Sequence, residues 1–385
     1  MTTAGQIESF RFATAPDLRF GAGAAPAAAG DLAARLGPRV LLISDAGLRA
    51  AGVLGTLQTA LDGLTDLAIF DAVEPDPSTA TLAAALAAAR DHAATGILGL
   101  GGGSPMDVAK VTALIAGGNE DLAAIWGVDR AAGPRLPLAL IPTTAGTGSE
   151  VTQVAILTLP DQEKRGVVSP LLLPDIAVLD PALTLGVPAA TTAATGIDAM
   201  VHAIEAYTSR APNANPLSRD LACRALRLLG GHIERAVSQP GDMAARGAML
   251  MGAMLAGQAF ANAPVAAVHA LAYPIGGMFH IPHGLSNALV LAPVMRFNRD
   301  AAAAEYAALA PHTFPDLGAD ADAFIDRLAA LGPRLGLPAR LRDAGIPEDA
   351  LPAMAAAAMK QTRLLVNNPR EVTQADALAI YREAW

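Results

Sequence analysis

From Gly247 to Met295, between Arg246 and Arg296, the chain carries no Asp, Glu, Lys or Arg. A run of that length without charge belongs either in a bilayer or in a buried core. Pro264, Pro274, Pro282, the Gly276-Gly277 pair and the histidines His269, His280 and His283 decide between the two. They put a helix breaker or a polar group into nearly every window of about 20 residues that could span a membrane. The expectation is therefore core helices and no membrane partner.

At 385 residues the chain exceeds the size at which one hydrophobic core stops growing, so two domains are expected. A net charge of -9 without a basic run argues against a nucleic-acid partner. The single Cys223 rules out an internal disulfide framework and fits a reducing compartment. The N-terminus has no apolar signal region, and a cytoplasmic location is expected.

The first half alternates short apolar runs, "VLLIS" at Val40, "LAIFDAV" at Leu67, "GILGLGGGS" at Gly96, "LALIPTT" at Leu138 and "DIAVLD" at Asp175, with helical stretches. That pattern predicts an α/β unit, a parallel sheet with crossover helices. After about Thr184 long helical periods take over, among them "TTAATGIDAMVHAIEAYTS" and "LSRDLACRALRLLGGHIERAV". The expected division is an α/β dinucleotide-binding domain over residues 1–183 and an all-helical domain over 184–385.

"LGLGGGSPMDVAK" sets Gly101, Gly102 and Gly103 between a strand and a helix expected to start near Ser104 or Pro105. Glycines there let backbone approach a phosphate, and the helix N-terminus offers free amides. It is not a Walker loop and lacks the last glycine of the dinucleotide fingerprint. A second strand-following loop, "IPTTAGTGSE", is rich in hydroxyls and glycines, and the pair suggests a nucleotide lying across the sheet edge.

In "TGIDAMVHAIEAY", Asp198 and His202 stand at i and i+4 on one helix face, among apolar neighbours. His269 and His283 flank Pro274 and the glycine pair, so two helices meeting at that turn could aim both imidazoles at one point. Each alone could be a hydrogen-bonded core histidine. Together the four make a three-nitrogen, one-oxygen set suited to Fe(II) or Zn(II), with positions left open for a substrate.

The segments "GGGSPMDVAK", "PTTAGTGSEVT", "GIDAMVHAIEAY" and "HALAYPIGGMFHIPHGLSNALVL", in this order, resemble the iron-containing (group III) alcohol dehydrogenases. The resemblance implies metal ligands Asp198, His202, His269 and His283. It assigns Gly101, Gly102, Gly103 and Ser104 to the cofactor's pyrophosphate, and Thr143, Thr144 and Thr147 to its phosphate and nicotinamide side. It also makes Lys164 a lysine reaching toward the cofactor, Phe260 a pocket aromatic, and the protein a homodimer. Asp107 is expected to shape the cofactor loop. Many family members carry a second histidine four residues after the first histidine ligand; here that position is Tyr273, expected to shape the pocket and at most pass a proton by hydrogen bond.

The implied reaction is reversible hydride transfer between a small alcohol or aldehyde and NAD, with the metal polarising the substrate oxygen. Asp45, at the end of "VLLIS", is placed to accept from ribose hydroxyls and repel a 2′-phosphate, so NADP is less expected; the alternative is a helix cap at the turn "SDAGL". The alternatives are a hydroxyacid-oxoacid transhydrogenase, a hydroxy-acid dehydrogenase of the same family, a metal hydrolase and a non-enzymatic binding module.

Overall fold

The structure is a computed structural model that describes residues 9–118, 120–161 and 163–385. Nine strands are present among them: β1 (Asp17–Phe20), β2 (Arg39–Ile43), β3 (Asp66–Phe70), β4 (Gly96–Gly101), β5 (Gly127–Val128), β6 (Leu138–Pro142), β7 (Val154–Thr158), β8 (Lys164–Val168) and β9 (Ile176–Leu179). Six of them form one parallel sheet in the order β1-β9-β6-β4-β2-β3.

The central strands read as unbroken apolar runs because helices cover both faces of the sheet. Successive side chains point to opposite sides. Leu41, Ile43, Ile97, Leu138 and Leu140 pack into the core shared with helices Thr79–Asp91 and Gly103–Gly117. Val40, Leu42, Leu98, Ala139 and Ile141 pack into the opposite core with helices Ala29–Leu36 and Val53–Leu61.

The strand order also locates a crevice. The chain leaves β2 toward β3 at one edge but leaves β4 toward β6 on the other side, so the topology reverses between the adjacent β2 and β4. Ligands of open parallel sheets bind outside the carboxyl ends of strands at such a point. Asp45 follows β2 there, Gly102 follows β4, and Thr143 follows β6.

Two features lay outside the expected pattern. β5, β8 and β7 form a small second sheet in that order, with β7 and β8 antiparallel, and this sheet carries Lys164. β1 adds an edge strand beside β9. From Ala189 onward the chain is helical, including Ala189–Thr208, Pro216–Ser238, Met243–Asn262, Ala267–Phe279 and His283–Thr313.

One expectation is corrected. The turn between the two histidine-bearing helices does not fall at Pro274 and Gly276-Gly277, which lie inside helix Ala267–Phe279. It falls at His280, which has a left-handed φ of 54° and whose N–H closes the helix on the Gly276 carbonyl at 2.9 Å. The left-handed residue and Pro282 after it end one helix and redirect the next. The glycine-loop helix likewise starts at Gly103 rather than Ser104 or Pro105, with Gly102 as its cap.

Among the described residues no single helix is long and apolar enough to cross a membrane. Helices Met243–Asn262 and Ala267–Phe279 pass such a test only as a pair, and that pair bends by 107°.

Candidate active site

Helix Ala189–Thr208 presents Asp198 and His202 on one face, both buried. His269 enters from helix Ala267–Phe279, and His283 is the first residue of the next helix, so the turn at His280 delivers it to the same point. Asp198 Oδ1 lies 3.9 Å from His269 Nε2 and 3.8 Å from His283 Nε2. Potential ligand atoms of these three residues all lie within 4.8 Å of one another. His202 falls outside that group; its ring stacks on His269, with centroids 4.8 Å apart. Phe260 covers the other side of His202 at 4.4 Å.

The electrostatics fit a cation. Burial pushes the His202 imidazole down to about 3 and the His283 imidazole down to about 4, against the opposing pull of Asp198 on each. Burial alone would raise the Asp198 carboxyl, but the surrounding histidines and the Asn287 amide outweigh it and hold it below the ordinary range. Neutral imidazoles facing one carboxylate are in the protonation state that ligation requires. Among the described residues, His202 Nδ1 and His269 Nε2 are buried without a hydrogen-bond partner. Buried polar nitrogens ordinarily have one, so two orphaned lone-pair donors beside a buried carboxylate match the donor set of a divalent metal site.

Two supporting residues escaped the sequence reading. Glu205 Oε2 sits 2.6 Å from His269 Nδ1, while its Oε1 accepts from the Val268 N–H at 2.7 Å. Asn287 Nδ2 donates to Asp198 Oδ1 at 2.6 Å and lies 3.2 Å from His283 Nε2. The spacing carried a signal for both. Asp198, His202 and Glu205 stand at i, i+4 and i+7 on one helix face, and Asn287 is four residues after His283.

The two glycine-rich loops lie side by side. Gly103 has no room for a side chain, since a Cβ there would come within 2.9 Å of Thr147 Cγ2, and Thr144 lies against Gly102. The Thr143 N–H bonds to the Gly101 carbonyl at 2.9 Å. Ser104 stands in the first turn of the helix that opens from this loop.

A buried ammonium ties the loops together. Lys110 Nζ donates to Ser149 Oγ at 2.7 Å, Thr152 Oγ1 at 3.1 Å and the Val154 carbonyl at 2.8 Å. Asp107 accepts from Ser149 Oγ at 2.7 Å and the Ile156 N–H at 2.8 Å. The second loop then meets the helical half at Gly148, whose φ is 59° and where a Cβ would stand 2.6 Å from Gly257 Cα.

The remaining candidates lie around this centre. Asp45 caps helix Ala46–Ala50, accepting from the Leu48 N–H at 2.9 Å, so the capping role is present. Lys164 Nζ pairs with Asp76 Oδ1 at 2.6 Å at the edge of the site. The Tyr273 ring is 6.0 Å from that of His283. His280 is exposed and lines a separate cavity of about 450 Å³ with Glu74, Asp76 and Lys164.

Comparison with known proteins bears on this arrangement. A family described as iron-containing alcohol dehydrogenase matches residues 15–181, and one described as Fe-containing alcohol dehydrogenase family, C-terminal, matches residues 192–385. Long-chain-alcohol dehydrogenase 1 of Geobacillus thermodenitrificans is 40% identical over 366 residues, covering 91% of each chain. A crystal structure of 1,3-propanediol oxidoreductase superimposes with a TM-score of 0.93 at 35% identity, covering 98% of this chain and 100% of that one. Sulfoacetaldehyde reductase from Bifidobacterium kashiwanohense, solved in complex with NAD+, gives a TM-score of 0.88 at 29% identity over 98% of this chain and 99% of that one. With both halves matched and the buried carboxylate-imidazole cluster in place, the chain belongs to the iron-containing alcohol dehydrogenase family.

Proposed function

We propose that this protein is a metal-dependent alcohol dehydrogenase and aldehyde reductase that uses NAD, with its dinucleotide in residues 1–183 and its metal in the helical residues 184–385. The observation that carries the reading is the convergence of Asp198, His269 and His283 within 4.8 Å, with His202 stacked alongside. Asp198, His202, His269 and His283 would hold Fe(II), the family's metal, and the same donors accept Zn(II). Bound there, the cation supplies a Lewis acid for the alcohol or carbonyl oxygen, and the nicotinamide accepts or returns the hydride.

The chain's own residues do the rest. Gly101 to Ser104 would hold the pyrophosphate with backbone amides, and Thr143, Thr144 and Thr147 the phosphate and nicotinamide side with amides and hydroxyls. Asp45 retains a carboxylate oxygen for the ribose while the other caps its helix. Phe260, packed on His202, and Tyr273 shut water out of the reacting face. Burial raises the Tyr273 phenol above its ordinary value, so it stays protonated and can hand on a proton only by hydrogen bond. Lys164, held by Asp76, presents positive charge at the cofactor edge.

The test is absorbance in the reduced-nicotinamide band, with Fe(II)- or Zn(II)-loaded protein and a panel of alcohols and aldehydes. Turnover that depends on both NAD and metal supports the reading. Turnover without added nicotinamide would mark a transhydrogenase, and metal-dependent hydrolysis without any change in the band would mark a hydrolase. The proposal extends to a cytoplasmic homodimer, for which light scattering of the purified protein is the check.

A further inference from the structure

A cavity of about 260 Å³ is lined among others by Trp126, Glu163, Lys164, Arg165, Tyr273 and Arg363. Tyr273 joins it to the centre, its ring 6.0 Å from His283. Three of these side chains are cationic and one is acidic. Two of the cations are already engaged: Arg165 pairs with Glu163 at 3.2 Å, and Lys164 with Asp76 at 2.6 Å. The Arg363 guanidinium has no ion pair and donates no hydrogen bond among the described residues. Its Nη2 lies over β8, 3.9 Å from where a Cβ on Gly166 would stand, so the glycine leaves it room at the cavity wall.

Arg363 has no assigned part in holding the dinucleotide phosphates. None of Gly101 to Ser104 or Thr143 to Thr147 lines this cavity, and those loops form their own cradle. An arginine offers a planar fork of donors that matches a carboxylate, and a pairing of that kind on the wall of a small pocket selects among substrates.

We propose that Arg363 determines specificity by receiving the anionic end of the substrate, so that small aldehydes and alcohols bearing a terminal carboxylate are preferred over neutral ones of equal size. This rests on the hydride-transfer reading above. The reaction is unchanged: the aldehyde carbon gains a hydride from NADH, its oxygen gains a proton, and NAD and the hydroxy acid leave.

The experiment compares succinic semialdehyde with 4-methylpentanal, its uncharged isostere, in wild type, Arg363→Gln and Arg363→Lys, each loaded with metal. Wild type should favour the semialdehyde in kcat/KM by about tenfold or more, the scale of a charge-assisted hydrogen bond. Arg363→Gln should collapse that ratio by a similar factor through the aldehyde's KM, and Arg363→Lys should restore part of it.

A wild-type preference for 4-methylpentanal, an unchanged ratio in Arg363→Gln, or an effect falling on the KM for NADH would overturn the proposal. Calorimetric binding of succinate to the NAD-loaded protein reads the same contact without turnover. It should weaken about tenfold in Arg363→Gln, and equal binding sinks the proposal. Succinate binding in wild type that is lost in Arg363→Gln, in a protein that turns over neither aldehyde, would fault the hydride-transfer reading and leave the anion contact standing.

Discussion

Glu205 Oε2 accepts a hydrogen bond from His269 Nδ1 at 2.6 Å, with both side chains buried. The bond fixes the proton on Nδ1 and turns the Nε2 lone pair toward Asp198. A carboxylate behind a ligating imidazole raises its basicity and fixes its orientation, and removing one costs 10- to 100-fold in metal affinity. Glu205→Gln keeps an oxygen for the Val268 N–H but loses the charge, and it should weaken Fe(II) or Zn(II) binding by about tenfold or more. Competition with a chelator measures this, and unchanged affinity would mean that Glu205 serves only to anchor its helix neighbour.

Asp45→Ser separates the two roles at the end of β2. Serine caps a helix about as well as aspartate, so the bond from Leu48 should survive while the charge is removed. The NADP-to-NAD ratio of kcat/KM should rise by about tenfold, because a carboxylate no longer opposes the 2′-phosphate. A wild type that already uses both cofactors equally would leave Asp45 as a cap alone.

Tyr273→Phe should retain alcohol oxidation within about tenfold, since an essential general acid or base contributes 10²- to 10⁴-fold. Burial raises the phenol above its ordinary value, so no ionisation of Tyr273 should shape the rate near neutral pH. A thousandfold fall with metal and cofactor binding intact would make the phenol the essential relay.

Glu150 is buried beside Lys110, and burial pushes its carboxyl up to about 7. A folded-state value above the unfolded one stabilises the protein fully below the unfolded value and is lost as pH rises through the folded one. Thermal melts should therefore show Glu150→Gln gaining on wild type as pH rises from about 4.5 to 7. A difference that is flat with pH would contradict this placement of the charge.

The parallel core was legible because both faces of β2, β4 and β6 are covered, which forces apolar runs that only a doubly covered sheet explains. The β7–β8 hairpin was not legible. Its strands sit in a small outer sheet where Lys164 and Arg165 occupy strand positions, so the polar composition reads as loop. His269 and His283 were legible as candidates because histidines in an uncharged run need a partner, and Asp198 and His202 because of their i, i+4 spacing. Their geometry was not, because the stop at His280 depends on a left-handed residue that a histidine seldom signals. Glu205 and Asn287 had the right helical spacing, yet nothing local distinguishes a carboxylate behind an imidazole from a surface one.

The central claim is that Asp198, His202, His269 and His283 hold one divalent metal. The most direct measurement is elemental analysis of wild type and His283→Ala after identical Fe(II) loading and desalting, with circular dichroism as the check on folding. The expected result is about one metal per chain in wild type and a largely metal-free, folded and nearly inactive His283→Ala, with exposed His280→Ala retaining its metal. Full metal content and normal activity in His283→Ala would contradict the assignment.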